Sequence, residues 1–270
     1  MKKCIAMILA EGRSDKLGAL TSYSSKPAVY FGGKKRIIDF TVSNCINSGI
    51  ETIGILSQYH SAELHRHIDK SYSGKGLYML PACLTGKTYN GMADAVYKNM
   101  GFIERYEPDY VLILQGDHIY KMNYKKMIED HIKSGADATV AVRRILPSQS
   151  STFGCVEMGT NGLVADIRKM PQQMDLERIM TGVYVFNWGT LRKNLILDAY
   201  YEESLHDFYG DILPFMLLTR QTINTYESNG YWREVSTIES MWEANMEVLD
   251  LKSIRTRLLA SDQYISGEID

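Results

Sequence analysis

Asp117 and His118 stand two residues beyond the run Tyr110-Val-Leu-Ile-Leu114, separated from it by Gln115 and Gly116. The run is short, unbroken, rich in residues that favour extended backbone and bounded by Pro108 and Gly116, so it predicts a strand buried on both faces. A carboxylate at the carboxyl end of such a strand sits where open α/β sheets bind ligands. Gly116 lets backbone approach a ligand closely. For an isolated Asp-His, the alternative is a turn cap before the helix expected over Lys125–Lys133. A second candidate follows Lys3–Ala10, also expected to be a buried strand. The polar loop Glu11–Thr21 contains Gly12 and Lys16. Strand, glycine-containing loop and cation is an arrangement in which backbone N–H groups and an ammonium surround a polyphosphate. The loop lacks the glycines of a dinucleotide fingerprint or a Walker loop, and a solvated turn is the other reading. His60, His65 and His67 do not form a metal set, because residues two apart do not share a helix face; they are expected to be solvated.

These groups need elements to hold them. Arg36–Ser48 carries apolar residues near helical spacing and stops at Gly49, a good terminator. Glu51–Ser57 predicts a strand and Ser61–Asp69 a helix. Ser71–Lys87, rich in Gly, Tyr and Lys with little periodicity, reads as a mobile loop. Gly91 opens a helix to about Tyr106. Strands are expected over Ala136–Val142 and Thr181–Asn187, a β-hairpin arm over Gly162–Lys169, and a closing helix from Ser240 to about Leu251. Strand and helix alternating in this order imply a doubly wound, mostly parallel α/β sheet.

The 270 residues, 45% of them apolar, can bury a full core. The net charge of −2 is balanced, with no basic stripe, which argues against nucleic acid as partner. No apolar run reaches membrane-spanning length. The start Met1-Lys-Lys with Cys4–Leu9 is too brief for a secretory leader and meets Glu11 and Arg13 at once, so a cytoplasmic protein is expected. Cys4, Cys45, Cys83 and Cys155 lack paired metal spacing and are expected to be reduced thiols.

Several stretches together resemble the glucose-1-phosphate adenylyltransferases, within the sugar-phosphate nucleotidyltransferases. They are Ala6–Ala10, Lys26-Pro-Ala-Val, Phe31-Gly-Gly-Lys, Arg36-Ile-Ile-Asp-Phe40, Ser43-Asn-Cys with Asn47–Ile50, Gly116–Met122, Gly230-Tyr-Trp and Trp242–Met246. The resemblance implies a Rossmann-like domain over 1–251 with a small sugar-binding hairpin arm, and a tail or linker over 252–270. It implies attack of the phosphate of glucose 1-phosphate on the α-phosphorus of ATP, giving ADP-glucose and pyrophosphate for glycogen synthesis. Such chemistry is mostly positioning and charge neutralisation, with Mg2+ held by one or two carboxylates. By motif position Asp117 and Glu234 are the metal ligands, Lys16 and Lys26 face phosphates, Gly12 and Gly91 admit the nucleotide, and Gly154, Lys169 and Asp211 serve the sugar.

Four departures accompany the likeness. Glu11 and Ser14 replace glycines, with Lys16 in place of an arginine; Glu234 replaces an aspartate; Met170 stands for the lysine of the arm; and Ser236 and Tyr209-Gly210 replace a glycine and a Gly-Lys pair. They leave two alternatives open. One is a catalytically weak or inactive regulatory subunit, in a hetero-oligomer with a catalytic homologue. The other is a relative that uses UTP or dTTP, since Thr181-Gly-Val-Tyr184 resembles uridylyl- and thymidylyltransferases. The family's left-handed β-helix has no hexapeptide-like repeat to match it after Leu251, so the expectation is either that the domain is absent or that the chain is truncated before it.

Overall fold

The computed structural model of the chain describes residues 3–10, 15–82, 88–145, 154–169 and 177–250. In order, β1 (Cys4–Ala10) is followed by 3-10 helices over Asp15–Thr21 and Lys26–Ala28, then β2 (Tyr30–Phe31), β3 (Lys35–Arg36), α1 (Ile37–Asn47), β4 (Ile53–Ser57), α2 (Ala62–Tyr72) and β5 (Leu77–Pro81). Next come α3 (Met92–Lys98), α4 (Met100–Glu104), β6 (Tyr110–Gln115), β7 (His118–Tyr120), α5 (Tyr124–Ser134), β8 (Ala138–Ile145), β9 (Gly154–Met158) and β10 (Val164–Lys169). The last are β11 (Glu177–Asn187), α6 (Trp188–Ala199), a π-helical turn Phe208–Ile212, α7 (Leu213–Leu218), β12 (Ile223–Glu227), β13 (Trp232–Glu234) and α8 (Ile238–Asp250).

The principal sheet has the order β10-β9-β11-β6-β1-β4-β5, with β8 and β12 joined through β11. β4 pairs with β5 in parallel, and β8 with β12 likewise, whereas β11 runs antiparallel to β6, β8 and β9. This is the α/β fold expected from the alternation of elements. By contact density the chain divides into two units.

One unit comprises residues 8–87, 115–123 and 230–270. Its core gathers Leu17, Val29, Phe31, Ile37, Phe40, Ile119, Val235, Met241, Ala244 and Val248. α1 begins where the Arg36 amide donates to Asp39 Oδ2 at 2.7 Å, and ends at Gly49, whose φ of 76° only glycine takes freely. Two readings are corrected here. Asp15–Thr21 is 3-10 helix rather than loop, broken by Gly18, because the buried Leu17 pins it to the core. The stretch over Ser71–Lys87 contains the end of α2 and the whole of β5. Only Pro81 of that strand is buried, so the alternation that marks a strand was missing.

The other unit comprises residues 1–7, 88–114 and 124–229. Tyr184, Phe186 and Phe208 pack ring against ring in its core, with centroids 5.7–6.2 Å apart. β9 and β10 form the predicted hairpin arm, with Lys169 opposite Gly154 in the ladder. The helix expected from Gly91 to Tyr106 is two helices. Asn99 divides them, its side chain donating to the carbonyl of Ala95, four residues back, at 2.8 Å and to the Tyr89 hydroxyl at 3.0 Å. Cys45 and Cys155 are buried and Cys4 is partly buried, none of the three in a disulfide.

Candidate active site

Asp117 stands in the turn between β6 and β7, as the sequence anticipates. α1 clamps that turn on both sides. Thr41 Oγ1 donates to the Gln115 carbonyl at 3.1 Å. Asn44 Nδ2 donates to the Tyr120 carbonyl at 3.2 Å, while its Oδ1 accepts the Met122 amide at 3.2 Å. Residues three apart on a helix share a face, so Thr41 and Asn44 grip the segment before and after the carboxylate. Sequence reasoning passed over this pair. Its signal was two hydrogen-bonding side chains at i, i+3 on a helix with an apolar core face. Gly116 has a nearer neighbour than any ligand: a Cβ there would lie 2.8 Å from Ile8 Cγ2 and 3.1 Å from the Leu9 carbonyl oxygen, and its amide donates to that carbonyl at 2.9 Å. Glycine is required at this position for packing against β1.

Lys26 opens the second 3-10 helix and is buried, and its ammonium meets Asp117 Oδ2 at 2.8 Å. The lysine side chain is 6% exposed and the aspartate 30%, so the carboxylate keeps an open edge. Burial pushes the Asp117 carboxyl up, but the charges of Lys26 and His118, with hydrogen bonds from Lys26 and the backbone, outweigh it and hold the carboxyl down to about 2. His118 Nε2 stands 3.6 Å from Asp117 Oδ1, and the Trp232 ring lies edge-on to the imidazole at 5.3 Å. β13 pairs antiparallel with β7 and sets Glu234 opposite His118, one residue from Asp117. α8 braces β13 through Glu247, which accepts from the Arg233 guanidinium and, at 3.0 Å, from the Tyr231 hydroxyl.

Lys16 lies exposed on the first 3-10 helix. Gly12 lies outside the described residues, as do Glu11, Ser14, Met170, Cys83 and residues 252–270. Among the described residues no three His, Cys, Asp or Glu side chains gather into a metal cage. One carboxylate with an open edge, with Glu234 opposite the neighbouring His118 in the ladder, is a sparse donor set of the kind suited to a hard divalent cation that takes most of its ligands from water and phosphate.

His65 and His67 are not the solvated residues expected. His67 Nε2 meets the buried Asp39 Oδ1 at 2.5 Å, where the Tyr72 hydroxyl also donates at 2.9 Å, and His65 Nε2 meets Ser57 Oγ at 2.9 Å. One helix spends its two histidines on different neighbours, which spacing alone does not reveal.

The remaining predicted residues belong to the other unit. Gly91 precedes α3 with φ 149°, and a Cβ on it would come within 2.4 Å of the Leu205 carbonyl oxygen and 2.6 Å of that of His206. Gly154 begins β9, and a Cβ there would lie 2.3 Å from the Tyr209 ring and 2.5 Å from Met180 Cε, so the aromatic ring fills the space beside the glycine. Asp211 Oδ2 accepts the Asp207 amide at 2.9 Å, closing the turn that carries Tyr209. Burial is the chief reason the Asp207 carboxyl is raised above the ordinary range, with the neighbouring Asp211 charge adding to it against hydrogen bonds from the turn.

The family model described as nucleotidyl transferase matches residues 5–251. The chain is similar to the glucose-1-phosphate adenylyltransferase of Clostridium novyi, 44% identical over 261 residues that cover 93% of this chain and 68% of the relative. Proteins of the same name from Bacillus thuringiensis (strain Al Hakam) and Clostridium acetobutylicum are 44% and 45% identical over 257 and 258 residues, in each case 92% of this chain and 68% of the relative.

Proposed function

The chain belongs to the nucleotidyl transferase family, and from that premise we propose that it transfers the adenylyl group of ATP to glucose 1-phosphate, forming ADP-glucose and releasing pyrophosphate. The observation that carries this reading is the Lys26–Asp117 pair at the end of β6, buried on the cation side and open on the carboxylate side, in a chain this similar to enzymes of that name. The phosphate of glucose 1-phosphate attacks the α-phosphorus in line and the bond to the pyrophosphate oxygen breaks, so the protein's work is to orient the two partners and to stabilise charge. Lys26 and Lys16 offer ammonium groups to the phosphates, placed before the reaction rather than recruited during it. Asp117, with Glu234 as the second carboxylate, would hold Mg2+, which supplies neutralisation of the phosphate oxygens. Gly91 lies at the nucleotide; Gly154, Lys169 and Asp211 serve the sugar.

A second reading has its own support. The Tyr209 ring occupies the space beside Gly154, where the sugar would be expected, and glutamate at 234 reaches further than the family's aspartate. Both favour a weak or inactive subunit that assembles with a catalytic homologue. Pyrophosphate release by the purified chain, with glucose 1-phosphate, magnesium and ATP, UTP or dTTP offered separately, tests the reading. Turnover with ATP is the expected result. Turnover confined to UTP or dTTP would reassign the base, and a folded protein inactive with all three would leave the subunit reading standing.

A further inference from the structure

The loop over 204–207 carries a strained histidine that is bonded through its ring Nδ1, its amide and its carbonyl. His206 holds φ at 55°, a left-handed conformation uncommon for any residue but glycine. Its Nδ1 meets Asp198 Oδ2 at 2.7 Å, and its amide donates to Ser204 Oγ at 2.9 Å. Ser204 Oγ in turn donates to Asp198 Oδ1 at 2.6 Å. Both oxygens of Asp198, whose side chain is 9% exposed, are thus committed to one loop. The outcome of this bracing is on the backbone. The His206 carbonyl accepts the Ala93 amide in the first turn of α3 at 2.7 Å, and the Leu205 and His206 carbonyl oxygens fill the space on the Cβ side of Gly91.

We propose that His206 is a positioning residue for the nucleotide: clamped by Asp198 and Ser204, it presents its carbonyl to Ala93 and thereby fixes Gly91 and the start of α3. The proposal rests on the reading that Gly91 lies against the nucleotide. Two requirements follow from the geometry at residue 206, tolerance of the left-handed backbone and an N–H on the atom bonded to Cγ. Asparagine meets both, because its Nδ2 occupies the place of the histidine Nδ1 and it is among the residues most at ease at positive φ. Alanine meets neither.

The test is calorimetric binding of ATP with magnesium, and of glucose 1-phosphate separately, to the wild type and to His206→Ala, Asp198→Ala, His206→Asn and Gly91→Ala, each shown to be folded by its melting curve. Binding serves whether or not the chain turns over. His206→Ala and Asp198→Ala are expected to weaken ATP binding tenfold or more while glucose 1-phosphate stays within threefold, and His206→Asn to restore ATP binding to within threefold of wild type. A role in stability alone would lower the melting temperature without splitting the two ligands or showing rescue, and would overturn the proposal. Unchanged ATP binding in His206→Ala beside lost binding in Gly91→Ala would overturn the proposal while keeping the reading of Gly91. Unchanged binding in Gly91→Ala would overturn that reading and the proposal with it.

Discussion

Asp117 and Lys26 form an ion pair of unequal exposure, and the inequality sets what each substitution does. Removing the carboxylate leaves a buried ammonium without its partner, a loss of roughly 3–5 kcal/mol for buried pairs. Asp117→Asn is therefore expected to abolish pyrophosphate release and to lower the melting temperature, whereas Lys26→Met, which leaves the carboxylate its solvent edge, destabilises less. The pair also fixes a pH dependence. Asp117 titrates at about 2 in the folded protein and near 3.9 in an unfolded chain, a difference worth on the order of 2 kcal/mol. Because the folded value is the lower one, that stability is present above about pH 4 and is lost as pH falls towards 2. In the absence of magnesium, melting temperature followed from pH 6 to pH 2 should fall less steeply in Asp117→Asn than in wild type. Tyr209 is the other residue whose side chain decides something, since its ring lies against Gly154. If the ring limits the sugar subsite, Tyr209→Gly lowers the KM for glucose 1-phosphate at least threefold. An unchanged KM would clear the ring of that role and weaken the subunit reading.

At the scale of elements, α1 does more than cover the sheet. Its Thr41 and Asn44 hold the backbone on either side of Asp117, so the helix positions the carboxylate without contributing a catalytic group. Asn44→Ala removes two hydrogen bonds to the buried β7 segment, at a cost of about 1–3 kcal/mol for the stranded backbone groups. Its expected signature is a fall in kcat larger than the change in either KM, together with a lower melting temperature. A variant that lost stability but kept kcat would show that the turn holds its shape without the clamp. β5 teaches a different lesson. It pairs in parallel with β4 from Ile53 opposite Leu77 to Ser57 opposite Pro81, and the turn leading to it passes through Gly76 at φ 73°, where a Cβ would strike the Glu51 carbonyl oxygen. The glycines that made the stretch look like a loop are what allow the strand to begin.

For the whole molecule, ligand binding and stability are linked, because on the proposed function ATP with magnesium would bind the folded chain and not the unfolded one. At a hundredfold excess over Kd the gain is about 2.7 kcal/mol. A rise in melting temperature is expected with ATP and magnesium together, a smaller one with ATP and a chelator, and none with either in Asp117→Asn. A full rise in the presence of the chelator would place nucleotide binding outside metal control.

The sequence by itself determined the buried strands β1, β4 and β6, the end of α1 and the place of Asp117, because unbroken apolar runs and terminating glycines are local signals that burial reads directly. It also determined the family likeness, carried by motifs spread from Ala6 to Met246. Only the tertiary structure decided what those residues touch. Lys26 was expected from the resemblance to face phosphates, and its pairing with Asp117, 91 residues away, had no sign in the sequence, since an ion pair depends on how two distant loops converge. Gly91 and Gly116 were legible as glycines with a purpose, yet the backbone each must clear, at Leu205 and Leu9, belongs to other segments. His67 looked solvated and is bound to a buried aspartate, because hydrogen-bonding partners across packed helices leave no periodic trace in either strand of sequence.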